Sequence, residues 1–244
     1  MTVEAALQIL KKARVIDLTH PINETSPRFP ALPALEKRDV FTLKDGFHVQ
    51  EFRFVGQYGT HIDAPRHFVE NGRWLDDIGL EELLLPLYVI DLSQEVAQNP
   101  NTELGVEDIV AFERRYGKIQ EGAFVAFRSD WSKRWPNQEA MRNLNDLGQQ
   151  ETPGWSKEAI AFLVKERHVK ALGHETLDTD SGQRAAQNGF LDNEYYLLEQ
   201  GIYQIELMAH LDEVPPTGSI IAVSFPHFEK ATGSPVRAVA YVDN

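Results

Sequence analysis

A mixed α/β fold is predicted by three observations. Apolar runs of strand length, such as Ala123 to Phe127, alternate along the chain with amphipathic stretches such as Ser156 to Glu166. Hydrophobic residues make up 42% of the 244 positions and charged residues 25%, an ordinary balance for a packed globular chain. No internal repeat and no linker interrupts it, so residues 1–244 read as one domain.

The elements follow in order. Ala5, Ala6, Leu7, Ile9 and Leu10 make a short amphipathic helix within Met1 to Arg14, and Val15 to Leu18 is a short buried strand. The loop after it carries Pro21, Pro27, Pro30 and Pro33, whose rings fix φ and stiffen it enough to form a pocket wall. Phe47 to Val55 alternates as a strand, and Leu83 to Leu92 is apolar enough for a central one. A helix introduced by Thr102 to Asp108 runs to about Tyr116 and ends at Gly117. Ala123 to Phe127 is the next strand, and residues 132–153 read as the longest irregular stretch. The helix Ser156 to Glu166 presents Ile160, Phe162, Leu163 and Val164 for packing, and the strand Val169 to Leu172 follows. Asn193 is the expected cap of a helix over residues 194–200, which Gly201 ends. Ile202 to Leu207, Ile220 to Phe225 and Val236 to Val242 complete the strands.

Composition excludes several classes. A formal net charge of −13, without any basic run, argues against nucleic-acid partners. The absence of cysteine excludes disulfides, thiolate metal sites and a thiol nucleophile. No apolar run approaches the roughly 20 residues that span a bilayer. The first residues have no basic leader ahead of an apolar core, so the expected compartment is the cytoplasm and no membrane partner is expected.

The chemistry concentrates in Gln57-Tyr-Gly-Thr-His61-Ile-Asp63-Ala-Pro-Arg-His67. Gln57, His61, Asp63 and His67 share one parity, so in an extended strand they face one way. The α-carbons of His61 and Asp63 lie about 7 Å apart on that face, close enough for both side chains to reach one cation. Gln57 stands about 13 Å from His61 in an ideal strand, and a bend at Gly59 brings it nearer. Pro65 ends regular pairing and frees His67 to approach. An imidazole that titrates near neutral pH suits His67 to proton transfer. There is no Gly-x-Ser-x-Gly elbow, so water attack fits better than covalent catalysis.

Gly59 to His67 matches the His-x-Gly-Thr-His-x-Asp-x-Pro-x-His signature and resembles the cyclase family of metal-dependent hydrolases. That family includes bacterial kynurenine formamidases and isatin hydrolases. Asp17-Leu18-Thr19 is similar to its opening strand, Gly173-His174-Glu175-Thr176 to its Gly-x-Asp-Thr segment, and Pro235 to Ala240 to its closing strand. The resemblance implies a swivelling β/β/α domain with a β-sheet core and flanking helices. It implies a divalent metal, Mn or Zn, held at His61, Asp63 and the position of Gln57, with His67 moving protons. It also implies a downstream pair twelve residues apart, here Glu194 and Glu206.

Gln57 and Glu194 stand where the family has histidine, giving an oxygen-rich shell that favours Mn²⁺ relative to Zn²⁺ and leaves one or two ions open. The resemblance further implies a homodimer or homotetramer. Phe29, Phe47 and His48 are candidate substrate contacts for a flat aryl group. His174, Glu175, Thr176, Asp178 and Asp180 make an acidic cluster at a strand end that reads as a turn held by its own side chains, with a second metal or a substrate contact as the alternative. The expected function is metal-dependent hydrolysis of a small cyclic amide, imide or lactone, or of an aryl formamide. Two rivals fit the same residues. One is a catalytically silent small-molecule-binding protein of the same fold, and the other is a structural metal site.

Overall fold

The computed structural model describes residues 2–243. Its strands are β1 (Arg14–Asp17), β2 (Glu36–Phe41), β3 (Val49–Arg53), β4 (His61–Asp63), β5 (Leu84–Asp91), β6 (Glu103–Leu104) and β7 (Phe124–Arg128). They continue as β8 (Gly154–Trp155), β9 (Ala171–His174), β10 (Tyr203–Glu206), β11 (Ser219–Ser224), β12 (Gly233–Pro235) and β13 (Arg237–Val242). The helices are α1 (Val3–Leu10), α2 (Ser93–Gln98), α3 (Val106–Tyr116), α4 (Gln138–Arg142), α5 (Lys157–Arg167), α6 (Gly182–Asn188) and α7 (Asp192–Glu199). None is long and apolar enough to cross a membrane.

Nine strands form one sheet in the order β1-β13-β11-β5-β7-β9-β10-β4-β12. Its centre, β5-β7-β9-β10, is parallel. Parallel neighbours need long crossovers, and α2 to α7 supply them between successive central strands. Both flanks are antiparallel, with β11, β13 and β1 on one side and β4 and β12 on the other.

Alternation along each strand divides the core in two. On β7, Phe124 and Ala126 join Ile16, Ile62, Tyr203 and Ile205 on one face. Val125 and Phe127 join Phe112 of α3, Ile160 and Leu163 of α5 and Leu197 of α7 on the other. Since Ile62, Tyr203 and Ile205 are committed to the first face, His61, Asp63, Gln204 and Glu206 must point to the helix-covered face.

The mixed α/β architecture with a sheet core and flanking helices matches the sequence expectation. Seven elements went unread: α2, β6 and β8 are only two to six residues long, and composition hides β2, β12, α4 and α6. β2 carries four consecutive charges and is exposed throughout, held only by pairing with β3. β12 contains Gly and Pro, which suits an edge strand but gives no alternation. α4 and α6 are short and mostly polar. The cap at Asn193 is corrected: α7 starts two residues earlier than expected, at Asp192, and the carboxylate of Asp180 accepts from the amides of Asn193 and Glu194. Asn193 instead donates its side-chain amide to the Trp155 carbonyl, 2.7 Å away.

His20 gives the fold an acid limit. Its ring stacks on Trp135 at 4.3 Å, and its Nε2 is buried without a hydrogen-bond partner. Burial, aided by the nearby His210, lowers its pKa to about 4 against a weaker upward pull from Asp17. The neutral ring is therefore favoured in the fold. Its contribution is intact above the ordinary histidine pKa of about 6.5 and is lost as pH falls from there to about 4, some 2–3 kcal/mol in all. His20→Phe, which keeps the stacking, is expected to reduce the slope of urea-unfolding stability between those pH values; an unchanged slope would refute it.

Candidate metal centre

The motif is not one continuous strand. Pairing is confined to His61–Asp63, bounded by two bends that draw its ends inward. Gly59 adopts φ +62°, and a Cβ built there would meet the Ile22 side chain at 2.1 Å. After Asp63, residues Pro65–His67 form a 3₁₀ turn, so His67 folds back toward the carboxylate. Gly233 on β12 serves the same place from outside. A Cβ on it would lie 2.3 Å from Gln57 Nε2 and 3.1 Å from Asp63 Oδ1.

Register assembles the rest. Antiparallel pairing sets Glu206 opposite His61 and Gln204 opposite Asp63. Glu194 enters from α7. The ligand atoms of His61, Asp63 and Glu206 lie within 4.8 Å of one another, and so do those of Asp63, His67 and Glu194. These two groups share Asp63. Glu206 is 3% exposed, because the helix-covered face here is buried.

His61 is oriented for ligation. Its Nδ1–H donates to the Gly59 carbonyl at 2.8 Å, which leaves Nε2 facing Asp63 Oδ2 at 3.4 Å and Glu206 Oε2 at 3.5 Å. Burial pulls its pKa down, but the Asp63 charge and hydrogen bond with help from Gly59 outweigh that and raise it. Burial likewise opposes ionisation of Asp63. The charges of His61 and His67, with hydrogen bonds from His61 and Gln57, outweigh it and hold this carboxyl below its ordinary range.

The other acids carry the opposite strain. Glu194 and Glu206 are pushed well above the usual carboxylate range, first by burial and then by neighbouring acids. Asp178 is raised to about 6, also chiefly by burial. Buried like charges at this density need a cation or protons. His174, at the end of β9, has both ring nitrogens buried without hydrogen bonds, and its Nε2 is 3.3 Å from Glu206 Oε1. Burial lowers its pKa to about 3, keeping a neutral imidazole beside the acids. Carboxylates with neutral imidazoles are the donor set a divalent cation takes, so the residues fit such an ion.

A cavity of about 320 Å³ opens over the cluster. Gln57, His61, His67, Glu194 and Glu206 line it, together with Phe29 of the proline-rich loop. Gln57 directs its Nε2 to Asp63 Oδ1 at 3.1 Å, so here its amide steadies the carboxylate. Phe47 and His48 are not among the lining residues. They occupy the exposed β2–β3 hairpin, where Phe47 packs on Phe41 and His48 bonds Asp39 at 2.8 Å.

Other lining residues were not anticipated: Arg28, Leu32, Phe68, Leu177, Leu191 and Leu207. The turn assignment holds for Thr176, whose hydroxyl donates to the Asp178 carbonyl. It fails for the acids: Asp178 lines the cavity, Asp180 caps α7, and Glu175 accepts hydrogen bonds from Ser129, Trp131 and Ser132. Each acts at long range, which local spacing does not reveal.

The family model described as "Putative cyclase" matches residues 16–181. Isatin hydrolase of Roseibium aggregatum is 31% identical, covering 97% of this chain and 92% of its own. Kynurenine formamidase of Bacillus cereus is 24% identical, covering 94% and 98% respectively. A crystal structure of an isatin hydrolase bound to the product analogue thioisatinate superposes with a TM-score of 0.93 at 26% identity, covering 100% of both chains.

Proposed function

The chain belongs to the cyclase family, and from that premise we propose a cytoplasmic metal-dependent hydrolase, one domain over residues 1–244, acting on a small cyclic amide, imide or lactone or on an aryl formamide. The observation that carries it is the buried His61–Asp63–Glu206 cluster at the floor of a cavity edged by His67. C–N cleavage is favoured over ester cleavage because the named relatives are an isatin hydrolase and a kynurenine formamidase.

His61, Asp63 and Glu206 would hold the cation, with Gln57 and Glu194 as further oxygen donors for one ion or two. The oxygen-rich set supports Mn²⁺ over Zn²⁺. A divalent ion held there supplies polarisation of the substrate carbonyl and acidification of a water. His67 takes the proton of the attacking water and returns it to the leaving nitrogen or oxygen. Its side chain is 30% exposed, so it reaches both the cluster and the cavity. Phe29, Phe68, Leu177 and Leu191 offer apolar walls for a flat ring.

The test is a panel of a cyclic imide, a lactone and an aryl formamide, assayed with Mn²⁺-loaded and metal-stripped protein. Ring opening or deformylation in the loaded protein alone is expected. A protein that binds panel members without turnover in either form would instead be the silent binder.

The proposal includes a homodimer or homotetramer, and the β2–β3 hairpin supports it. Residues 36–54 expose Val40, Phe41, Leu43, Phe47, Val49, Phe52 and Phe54. The same segment balances four Lys and Arg against four Asp and Glu, in a chain of net charge −13. A two-stranded hairpin is marginal alone, and a neutral apolar one is where two acidic copies meet with least repulsion. Phe41→Glu with Phe52→Glu is expected to convert the assembly to monomer in light scattering with circular dichroism unchanged; an assembly that survives both changes would exclude the hairpin as its contact.

A further inference from the structure

We propose that Gln204 is a positioning residue that holds the Asp63 and Glu206 carboxylates together for a divalent cation while adding no positive charge of its own. This role rests on the metal-dependent function above. Gln204 lies opposite Asp63 in the β4–β10 pair and two residues before Glu206 on the same face of β10. It is fully buried, as is Thr179. Its Nε2 donates to Asp63 Oδ2 at 3.3 Å and to Glu206 Oε1 at 3.0 Å. A single amide nitrogen thus spends both protons on the two acids.

The orientation of that amide is set from behind. The Thr179 hydroxyl donates to Gln204 Oε1, which turns the NH₂ group toward the acids. The reversed amide would aim its oxygen at two carboxylates, a repulsive arrangement in a buried site. One oxygen of each acid is tied in this way. The others remain turned elsewhere, with Glu206 Oε2 toward His61 and Asp63 Oδ1 toward Gln57 and His67.

The neutrality of the donor matters. Lysine or arginine in this place would draw the same acids together but neutralise them, and would compete with the cation. An amide lowers the repulsion of the pair and leaves its negative charge for the ion. A hydrocarbon would do neither, and the two carboxylates would relax apart or take up protons.

The test is Mn²⁺ binding to metal-stripped protein by titration calorimetry, with thermal melting of the stripped protein as a check on folding. Gln204→Leu is expected to weaken Mn²⁺ binding by about 10- to 100-fold, the usual effect of losing a partner that orients ligands. Thr179→Val should weaken it in the same direction but less, and Thr179→Ser, which keeps the hydroxyl, should bind as wild type does. A purely structural role would lower the melting temperature and leave the binding constant alone. Should Gln204→Leu fail to fold, the Thr179 pair decides: equal Mn²⁺ affinity for Val and Ser would overturn the role. Tight wild-type binding with an unchanged Gln204→Leu constant would overturn this role alone. Wild-type protein that takes up no Mn²⁺ would overturn the metal-dependent function and this role with it.

Discussion

His67→Ala is expected to lower kcat/KM by about 10²- to 10⁴-fold while the protein still binds metal through His61, Asp63 and Glu206, the loss typical of removing one positioned acid–base group. Geometry separates this histidine from the ligand cluster. His61 has its Nδ1 committed to the Gly59 carbonyl and its Nε2 turned to Asp63 and Glu206, so neither ring nitrogen is left for substrate. The His67 ring packs edge-on against Phe68 at 4.9 Å, and its Nε2 stands 4.0 Å from Asp63 Oδ1, beyond hydrogen-bond length. That nitrogen is free to serve substrate and water. His67 also belongs to the second cluster with Asp63 and Glu194, so ligation is the competing role. The two are distinguished by metal content. A general base leaves stoichiometry unchanged on mutation and loses rate, whereas a ligand loses an ion. His67→Ala with wild-type kcat/KM on every hydrolysed panel member would remove it from the mechanism.

How far the site could be read in advance depended on the distance over which each residue acts. His61 and Asp63 were legible because a two-residue repeat on a strand fixes a shared face. The bends at Gly59 and Pro65 were legible as departures from that strand, since one residue tolerates φ > 0 and the other removes a donor. Glu206 was visible only through the family signature. Its neighbours Ile205 and Leu207 imply an exposed alternate face, and nothing local says that helices cover it. His174 and Asp178 were ambiguous for a related reason. Their local sequence fits a turn as well as a ligand cluster, and only the parallel packing of β9 against β10 sets His174 beside Glu206, while Asp178 lines the cavity. The fold followed the same rule. Central strands announced themselves by apolar content, whereas β2, with its four successive charges, exists only because β3 pairs with it.

Asp63→Asn is expected to abolish metal binding at both clusters and to reduce hydrolysis below detection, a larger effect than any other single ligand change. Asp63 is the member the two groups share. It is fully buried and accepts from Gln57 Nε2 and Gln204 Nε2 while facing His61 and His67. Asparagine keeps the shape but replaces one acceptor oxygen by a donor, so its NH₂ must confront one of two amide donors. The loss of that hydrogen bond, with an unsatisfied buried group left behind, should lower stability by about 1–3 kcal/mol even in stripped protein. It also deprives His61 of the charge that raises its pKa. Glu206→Gln and Glu194→Gln provide the comparison, because each touches one cluster. If two ions bind, each glutamate variant should retain one while Asp63→Asn retains none. If one ion binds at His61, Asp63 and Glu206, Glu194→Gln should keep it. Metal analysis after dialysis reads all three directly. Asp63→Asn protein with wild-type metal content would mean that the shared carboxylate does not hold the ion.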